Sequence, residues 1–144
     1  MLKNIPPILG PDLLGILRAM GHGDEIAIVD ANYPADSAGP ALIRLDGVSA
    51  TDALEAILTL MPLDTFVDDA AFCMQVVGNP TQREPVMDAF DSILKKHEPE
   101  MSLASIERFA FYDRVKTAYA IVQTGERRLY GNILLKKGII RPDA

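Results

Sequence analysis

The amino-acid sequence predicts an α/β fold, a largely parallel sheet with helices covering its faces. Three observations carry this. Short apolar runs of strand character recur along the chain: "EIAIV" (25–29), "ALIRL" (41–45), "FCMQVV" (72–77) and "YAIVQT" (119–124). Most of the segments between them place apolar residues at helical spacing. Strands that alternate with helices are joined by right-handed crossovers, which make neighbouring strands parallel. The 144 residues form one domain, 1–144, with no internal repeat, low-complexity tract or linker.

Each element has its own warrant. Pro11 and Asp12 precede Leu13, Leu14, Ile16, Leu17 and Met20, which predicts a helix over 11–20 that stops at Gly21. The strand 25–29 opens on Glu25 and ends against Asp30. "YPADSAGP" is a loop punctuated by Pro34, Gly39 and Pro40. The strand 41–45 closes at Asp46-Gly47. Ser49 or Thr51 can cap a helix over 52–61, whose face is Leu54, Ile57, Leu58 and Met61. Gly78-Asn79-Pro80 ends the strand 72–77, and 83–97 is an amphipathic helix. "SIERF" (105–109) is a short strand or the lead-in to a helix over 110–117. After the strand 119–124, Gly125-Glu126 turns and "NILLKK" (132–137) is the last strand.

Composition excludes several function classes. The residues are 49% hydrophobic and 24% charged, with a net charge of −6 and no basic stripe. Nucleic-acid binding rests on such a stripe. A neutral ligand is indifferent to the acidic field. Pro6, Pro7 and Pro11 break the N-terminal apolar run, unlike a signal peptide, and no stretch of 18 apolar residues spans a membrane. The single cysteine, Cys73, allows no intrachain disulfide and fits a reduced, cytoplasmic setting. Its apolar flanks favour a buried small hydrophobe over a reactive thiol.

The sequence lacks a GxGxxG after a strand, a GxxxxGK[ST] loop, an HExxH pair, a cysteine–histidine pattern and a GxSxG elbow. It therefore gives no sign of a nucleotide, a metal or any other cofactor. What remains is Gly21-His22-Gly23, Asp30, Arg108, Tyr130 and Asn132. Glycines on both sides let a tight turn present His22, the side chain that most readily gives and takes a proton near neutral pH. The plain alternative is that His22 finishes the first helix. Asp30 stands at the carboxyl end of a strand, where open α/β sheets bind ligands, and can orient His22 or bind a hydroxyl. Tyr130 and Asn132 flank Gly131 and offer a phenol and an amide to neutral hydroxyls, unless they only build a turn. Arg108 is a fixed cation with a fork of donors, or simply a partner of Glu107. His97, among charges at a helix end, is read as solvated. The inventory suits cofactor-free proton transfer on a neutral polyhydroxylated molecule.

Three stretches, "MGHGDEIAIVDANYPA" (20–35), "ERFAFYDRVKTAYAIVQTGE" (107–126) and "YGNILLKKGII" (130–140), resemble the signatures of the RbsD/FucU family of L-fucose mutarotases and D-ribose pyranases. The match runs from "MLKNI" to "LLKKG", and Arg108 in "RFAFY" places it nearer the fucose branch. The resemblance implies a three-layer α/β/α fold of RbsD type. It also implies a sugar mutarotase that interconverts the α and β pyranose anomers of L-fucose or a related monosaccharide. His22 matches the catalytic histidine, while Asp30, Arg108, Tyr130 and Asn132 match sugar-contacting positions. On that basis His22 is the main proton donor and acceptor, with Asp30 beside it orienting it or lining the sugar pocket. Tyr130 is a second proton relay or hydroxyl-binding group, and Arg108 and Asn132 hold hydroxyls. Family members form ring-like homo-oligomers, often decamers, with sites near subunit boundaries. One departure stands out: Asn32 and Asp36 occupy places where fucose-type members commonly carry histidine. The alternative is a non-catalytic monosaccharide-binding or regulatory module, which needs Asp30, Arg108 and Asn132 but not a titrating His22.

Overall fold

The computed structural model describes residues 1–143. Its elements run α1 (Pro11–Ala19), β1 (Glu25–Val29), β2 (Ala41–Leu45), α2 (Ala50–Leu60), β3 (Ala71–Met74), α3 (Pro85–His97), β4 (Ala104–Ile106), α4 (Arg108–Lys116), β5 (Ala120–Thr124) and β6 (Ile133–Lys136). The strands form one sheet in the order β2-β5-β1-β6-β3-β4. β6 runs antiparallel to β1 and β3, and every other neighbouring pair is parallel. The carboxyl ends of five strands therefore share one edge of the sheet, and the start of β6 lies among them.

Alternation along the strands sorts the core into two layers. Ile26 and Ile28 of β1, with Val122, Ile133 and Leu135, face Leu13 and Leu17 of α1, Leu54 and Ile57 of α2, and Phe90 and Leu94 of α3. Ala27 and Val29, with Phe72, Ile121 and Leu134, face Phe111 and Val115 of α4 and the loop residues Tyr33 and Ala35. The result is the three-layer arrangement expected of the sequence. Arg114 fastens α4 to the sheet: its guanidinium donates to both oxygens of Glu25 (3.2 and 2.7 Å) and lies over the Phe72 ring.

The strands β1 and β2 have the predicted bounds, and Ser49 caps α2 through its hydroxyl, which accepts from Asp52 N–H (3.1 Å). Other boundaries shift by one to three residues, and three of the shifts have a plain cause. The strand predicted over 72–77 ends at Met74, because Val76 and Asn79 pair across a turn. The helix predicted over 83–97 starts at Pro85, whose ring has no N–H to lose at a first helical turn. The helix predicted over 110–117 starts at Arg108, because the Glu107 carboxylate accepts from Ala110 N–H (3.0 Å) and caps it. "SIERF" is thus both things at once, a strand to Ile106 and then a helix start.

Cys73 is buried in the core, and burial pushes its thiol pKa up, which leaves it unreactive. His97 is not solvated as expected. It is half-buried and meets Glu55 of α2 at 3.0 Å. No helix among the described residues is long and apolar enough to cross a membrane. No group of three or more His, Cys, Asp or Glu among them is placed to hold a metal ion.

Gly125 closes β5 against the turn after β2. A Cβ there would sit 2.0 Å from the Asp46 carbonyl oxygen, which is backbone and cannot swing away. Gly125→Ala is expected to cost about 3 kcal/mol, at the upper end for overpacking. A thermal melt checks it, and an unchanged Tm would contradict the close approach.

Candidate active site

At the shared carboxyl edge, a cavity of about 220 Å³ is lined by Asp30, Asn32, Arg108, Tyr130 and Asn132, with Met74, Tyr112 and Leu129 as apolar wall. A larger cavity of about 510 Å³ near the N-terminus is lined by Met1, Leu2, Ile5, three prolines and other apolar residues, and brings no polar side chain together. Specific ligand sites combine apolar walls with a few converging polar groups, which favours the smaller cavity.

Asp30 follows directly on β1 and is buried. Its N–H donates to Asn132 Oδ1 (2.8 Å), and Asn132 Nδ2 donates back to Asp30 Oδ2 (3.2 Å). Asn32 N–H donates to Asp30 Oδ1 (3.0 Å). Burial raises the Asp30 pKa above the ordinary aspartate value, and the donors from Asn32 and Asn132 oppose it only in part. The carboxylate keeps lone pairs that face the cavity and suit a hydroxyl donor.

Tyr130 sits at φ 62°, in the left-handed region that a bulky residue rarely enters. The preceding turn holds it there. The Glu126 carboxylate accepts from the N–H groups of Arg127 and Arg128 and from the Arg128 guanidinium, which keeps its pKa low. Gly131 must lack a side chain, since a Cβ would lie 2.6 Å from Glu126 Cγ. The Tyr130 hydroxyl oxygen accepts from Val77 N–H (3.1 Å), so its own proton is free to point at a ligand. Tyr33, in the same wall, has its hydroxyl pKa pushed well up by burial and is unsuited to proton transfer.

Arg108 breaks a local rule. It is the first residue of α4, where the helix dipole disfavours a cation. It does not pair with Glu107, whose carboxylate is spent on the helix cap. Its Nε is buried and has no partner among the described residues. The guanidinium lies over the Phe109 ring, 4.6 Å from its centroid, and lines the cavity wall.

His22 is elsewhere. Its loop precedes β1, and Asp30 follows it, so five residues at about 3.3 Å each put the two at opposite ends of the strand, roughly 16 Å apart. The expectation that Asp30 orients His22 is corrected: within the chain, His22 Nε2 donates instead to Asp64 Oδ1 (3.0 Å). The same carboxylate oxygen accepts from Phe66 N–H (3.0 Å), and these two donors hold the Asp64 pKa below its ordinary value. Nothing in the sequence pointed to Asp64, which lies 42 residues from His22. In the neutral ring, an Nε2–H bonded to Asp64 leaves the lone pair on Nδ1. The His22 side chain is 44% exposed and has the Phe66 ring beside it, 5.3 Å between centroids. Asn32 lines the cavity rim, whereas Asp36 opens an exposed 3-10 turn away from it.

Comparison with known proteins gives a consistent picture. A model of the RbsD / FucU transport protein family matches residues 3–140. The Fucose mutarotase of Homo sapiens is 47% identical over 145 residues, covering 96% of this chain and 94% of that one. The Fucose mutarotase of Danio rerio is 45% identical, covering 99% and 97%. The crystal structure of the fucose mutarotase in complex with L-fucose from Streptococcus pneumoniae superposes with a TM-score of 0.89 at 45% identity, covering 97% of this chain and all of that one.

Proposed function

The chain belongs to the RbsD / FucU transport protein family, and from that premise we propose that it is a sugar mutarotase for L-fucose whose catalytic groups are divided between two copies. The observation that carries the activity is the near full-length identity with fucose mutarotases, one of them in complex with L-fucose. The Asp30 cavity is the sugar site. At about 220 Å³ it is smaller than the usual ligand pocket of about 300–1,000 Å³ and is open on one side.

A second copy supplies the missing wall and the missing base. His22 is exposed with the exposed Phe66 ring beside it, and Val67, next to Phe66 in the chain, and Ile139 and Ile140, which follow Gly138, are exposed too. Exposed apolar groups beside a titratable side chain suit a contact with another chain. Docking that face over the Asp30 cavity of a neighbour brings His22 Nδ1 to the sugar, and repeating the contact head to tail closes a ring.

The reaction then follows from the groups present. His22 takes the proton from the O1 hydroxyl while Tyr130 gives its proton to the ring oxygen. The C1–O5 bond breaks, leaving an open-chain aldehyde. C1 rotates, the O5 hydroxyl returns its proton to Tyr130 as it attacks the other face, and His22 reprotonates O1. Asp64 holds the His22 ring and stabilises the imidazolium formed midway. Val77 N–H stabilises the Tyr130 oxygen as it loses its proton. Asp30, Asn132 and Arg108 hold the remaining hydroxyls. NMR saturation transfer between the anomeric protons of L-fucose tests the activity, with D-ribose and L-rhamnose beside it. L-Fucose is expected to be the fastest, and no enhanced exchange with any of the three would contradict the proposal.

The two carboxylates predict a pH order. Asp30 has a raised pKa in the folded protein, so its contribution to stability is present at low pH and lost as pH rises through that value. At neutral pH its charge is kept at a cost in stability, for binding. Asp64 has a lowered pKa, so its contribution is present above the unfolded value of about 3.9 and lost as pH falls below it. On acidification, L-fucose affinity is expected to fall first, above about 3.9, before the melting temperature drops. Calorimetric titration and thermal melts across the same pH series check this. An affinity that stays flat until the protein unfolds would contradict it.

A further inference from the structure

We propose that the segment Lys136-Lys137-Gly138 is the positioning device of the His22–Asp64 pair, with Lys137 its principal residue; this rests on the reading of His22 given above. His22 and Asp64 lie on separate loops, and this segment, at the end of β6, runs between them. On one side it holds the His22 loop. Lys137 N–H donates to Asp24 O (2.8 Å), and Lys137 O accepts from Gly23 N–H (2.9 Å). The Lys137 ammonium donates to Leu17 O (2.7 Å) and to Met20 O, two carbonyls at the end of α1 just before the loop. A helix leaves its last carbonyls without partners, and a cation there suits the dipole. On the other side the segment holds the Asp64 loop. Asp64 N–H donates to Lys136 O (3.0 Å), and Gly138 N–H donates to Pro62 O (2.8 Å). Gly138 permits the approach: a Cβ there would lie 2.3 Å from Leu63 O and 2.9 Å from Asp64 Cα.

Both loops therefore take their register from three consecutive residues. Burial, and then Arg18 nearby, lower the Lys137 pKa, so the cation is kept at a site that does not favour it. An ordinary helix cap could have come from α1's own end. A lysine more than a hundred residues away in the chain ties that end to the segment that also hydrogen-bonds the Asp64 loop.

A lysine that only caps a helix and one that positions the dyad differ in what their loss changes. Lys137→Met keeps the aliphatic stem and removes the ammonium. With L-fucose in saturation transfer, kcat is expected to fall about 10- to 100-fold while KM stays within about twofold, since a misplaced base costs chemistry and not binding. Lys137→Arg, which restores donors, is expected to recover most of kcat. Lys96→Met, at an exposed lysine on α3, is the control. Wild-type kcat in a folded Lys137→Met, or a KM that rises in step with the loss, would overturn the proposal. Lys137→Gln carries the same test if Lys137→Met does not fold. Histidine-labelled NMR reads the pair without activity, since the chain has only two histidines. The Nε2–H tautomer of His22 is expected to be lost in Lys137→Met, and its survival would count against the proposal. If His22→Ala kept full exchange, the catalytic reading would fall, while the ring spectrum would still decide what Lys137 does.

Discussion

In His22→Ala, enzyme-driven exchange between the α and β anomers of L-fucose is expected to drop about 10²- to 10⁴-fold, the usual worth of one positioned general base. The fold survives the change. The side chain is half exposed and its one hydrogen bond is to Asp64, which keeps its bond from Phe66 N–H. The stability cost is therefore about 1–2 kcal/mol, the loss of one charge-assisted bond. Sugar binding is largely retained, because Asp30, Asn132 and Arg108 are untouched. Near-normal exchange in the variant would sink the assignment of His22, and the same chain would then read as a binding module. Mixing tests the division of the site. A Tyr130→Phe chain has an intact His22, and a His22→Ala chain has an intact cavity. Dissociated and reassembled together at equal amounts, they form complete sites at about a quarter of the contacts by random pairing. Activity from two inactive parents is the expected result, and its absence would place each site within one chain.

His22 and Asp30 also mark where the sequence was legible and where it was not. The apolar run "EIAIV", opening on Glu25 and stopped by Asp30, gave β1 its bounds, and the rule that ligands sit at carboxyl ends of strands found Asp30. A separation of eight positions in sequence makes His22 and Asp30 look close. A strand lies between them, however, and a strand separates what it joins. Asp64 was invisible for the opposite reason, since only the fold carries it to His22 across 42 residues. Arg108 stood out as a fixed cation with a fork of donors, and the resemblance added a sugar-contacting role. The start of α4 was misplaced because only Phe111 and Val115 of that helix are buried, too few to define a face. Its oddity, a cation at a helix start with a buried Nε unpartnered, appears only once Glu107 is seen to be the cap. Lys137 appeared only as the end of the last predicted strand, "NILLKK". Its role depends on carbonyls of α1 that no spacing in the sequence brings near.

Tyr130→Phe separates chemistry from structure most cleanly. The ring packs against both core layers and stays in the variant, as does the left-handed backbone. That backbone costs about 1–2 kcal/mol in a residue other than glycine, a strain borne where the Tyr130 side chain lines the cavity. Only the oxygen is lost. Its partner is Val77 N–H, and Val77 is 57% exposed, so water takes over the bond and Tm is expected to move little. A tyrosine that merely shaped the wall would leave kcat unchanged. A tyrosine that protonates the ring oxygen cannot be replaced by phenylalanine, and kcat is expected to fall about 10²- to 10⁴-fold with a smaller change in KM. The double variant with His22→Ala sharpens the distinction. When acid and base act in one ring-opening step, removing the second costs much less than removing the first. Saturation transfer on the two single variants and the double gives the coupling. Full additivity would mean that the two groups serve separate steps, and wild-type kcat in Tyr130→Phe would hand the proton to water.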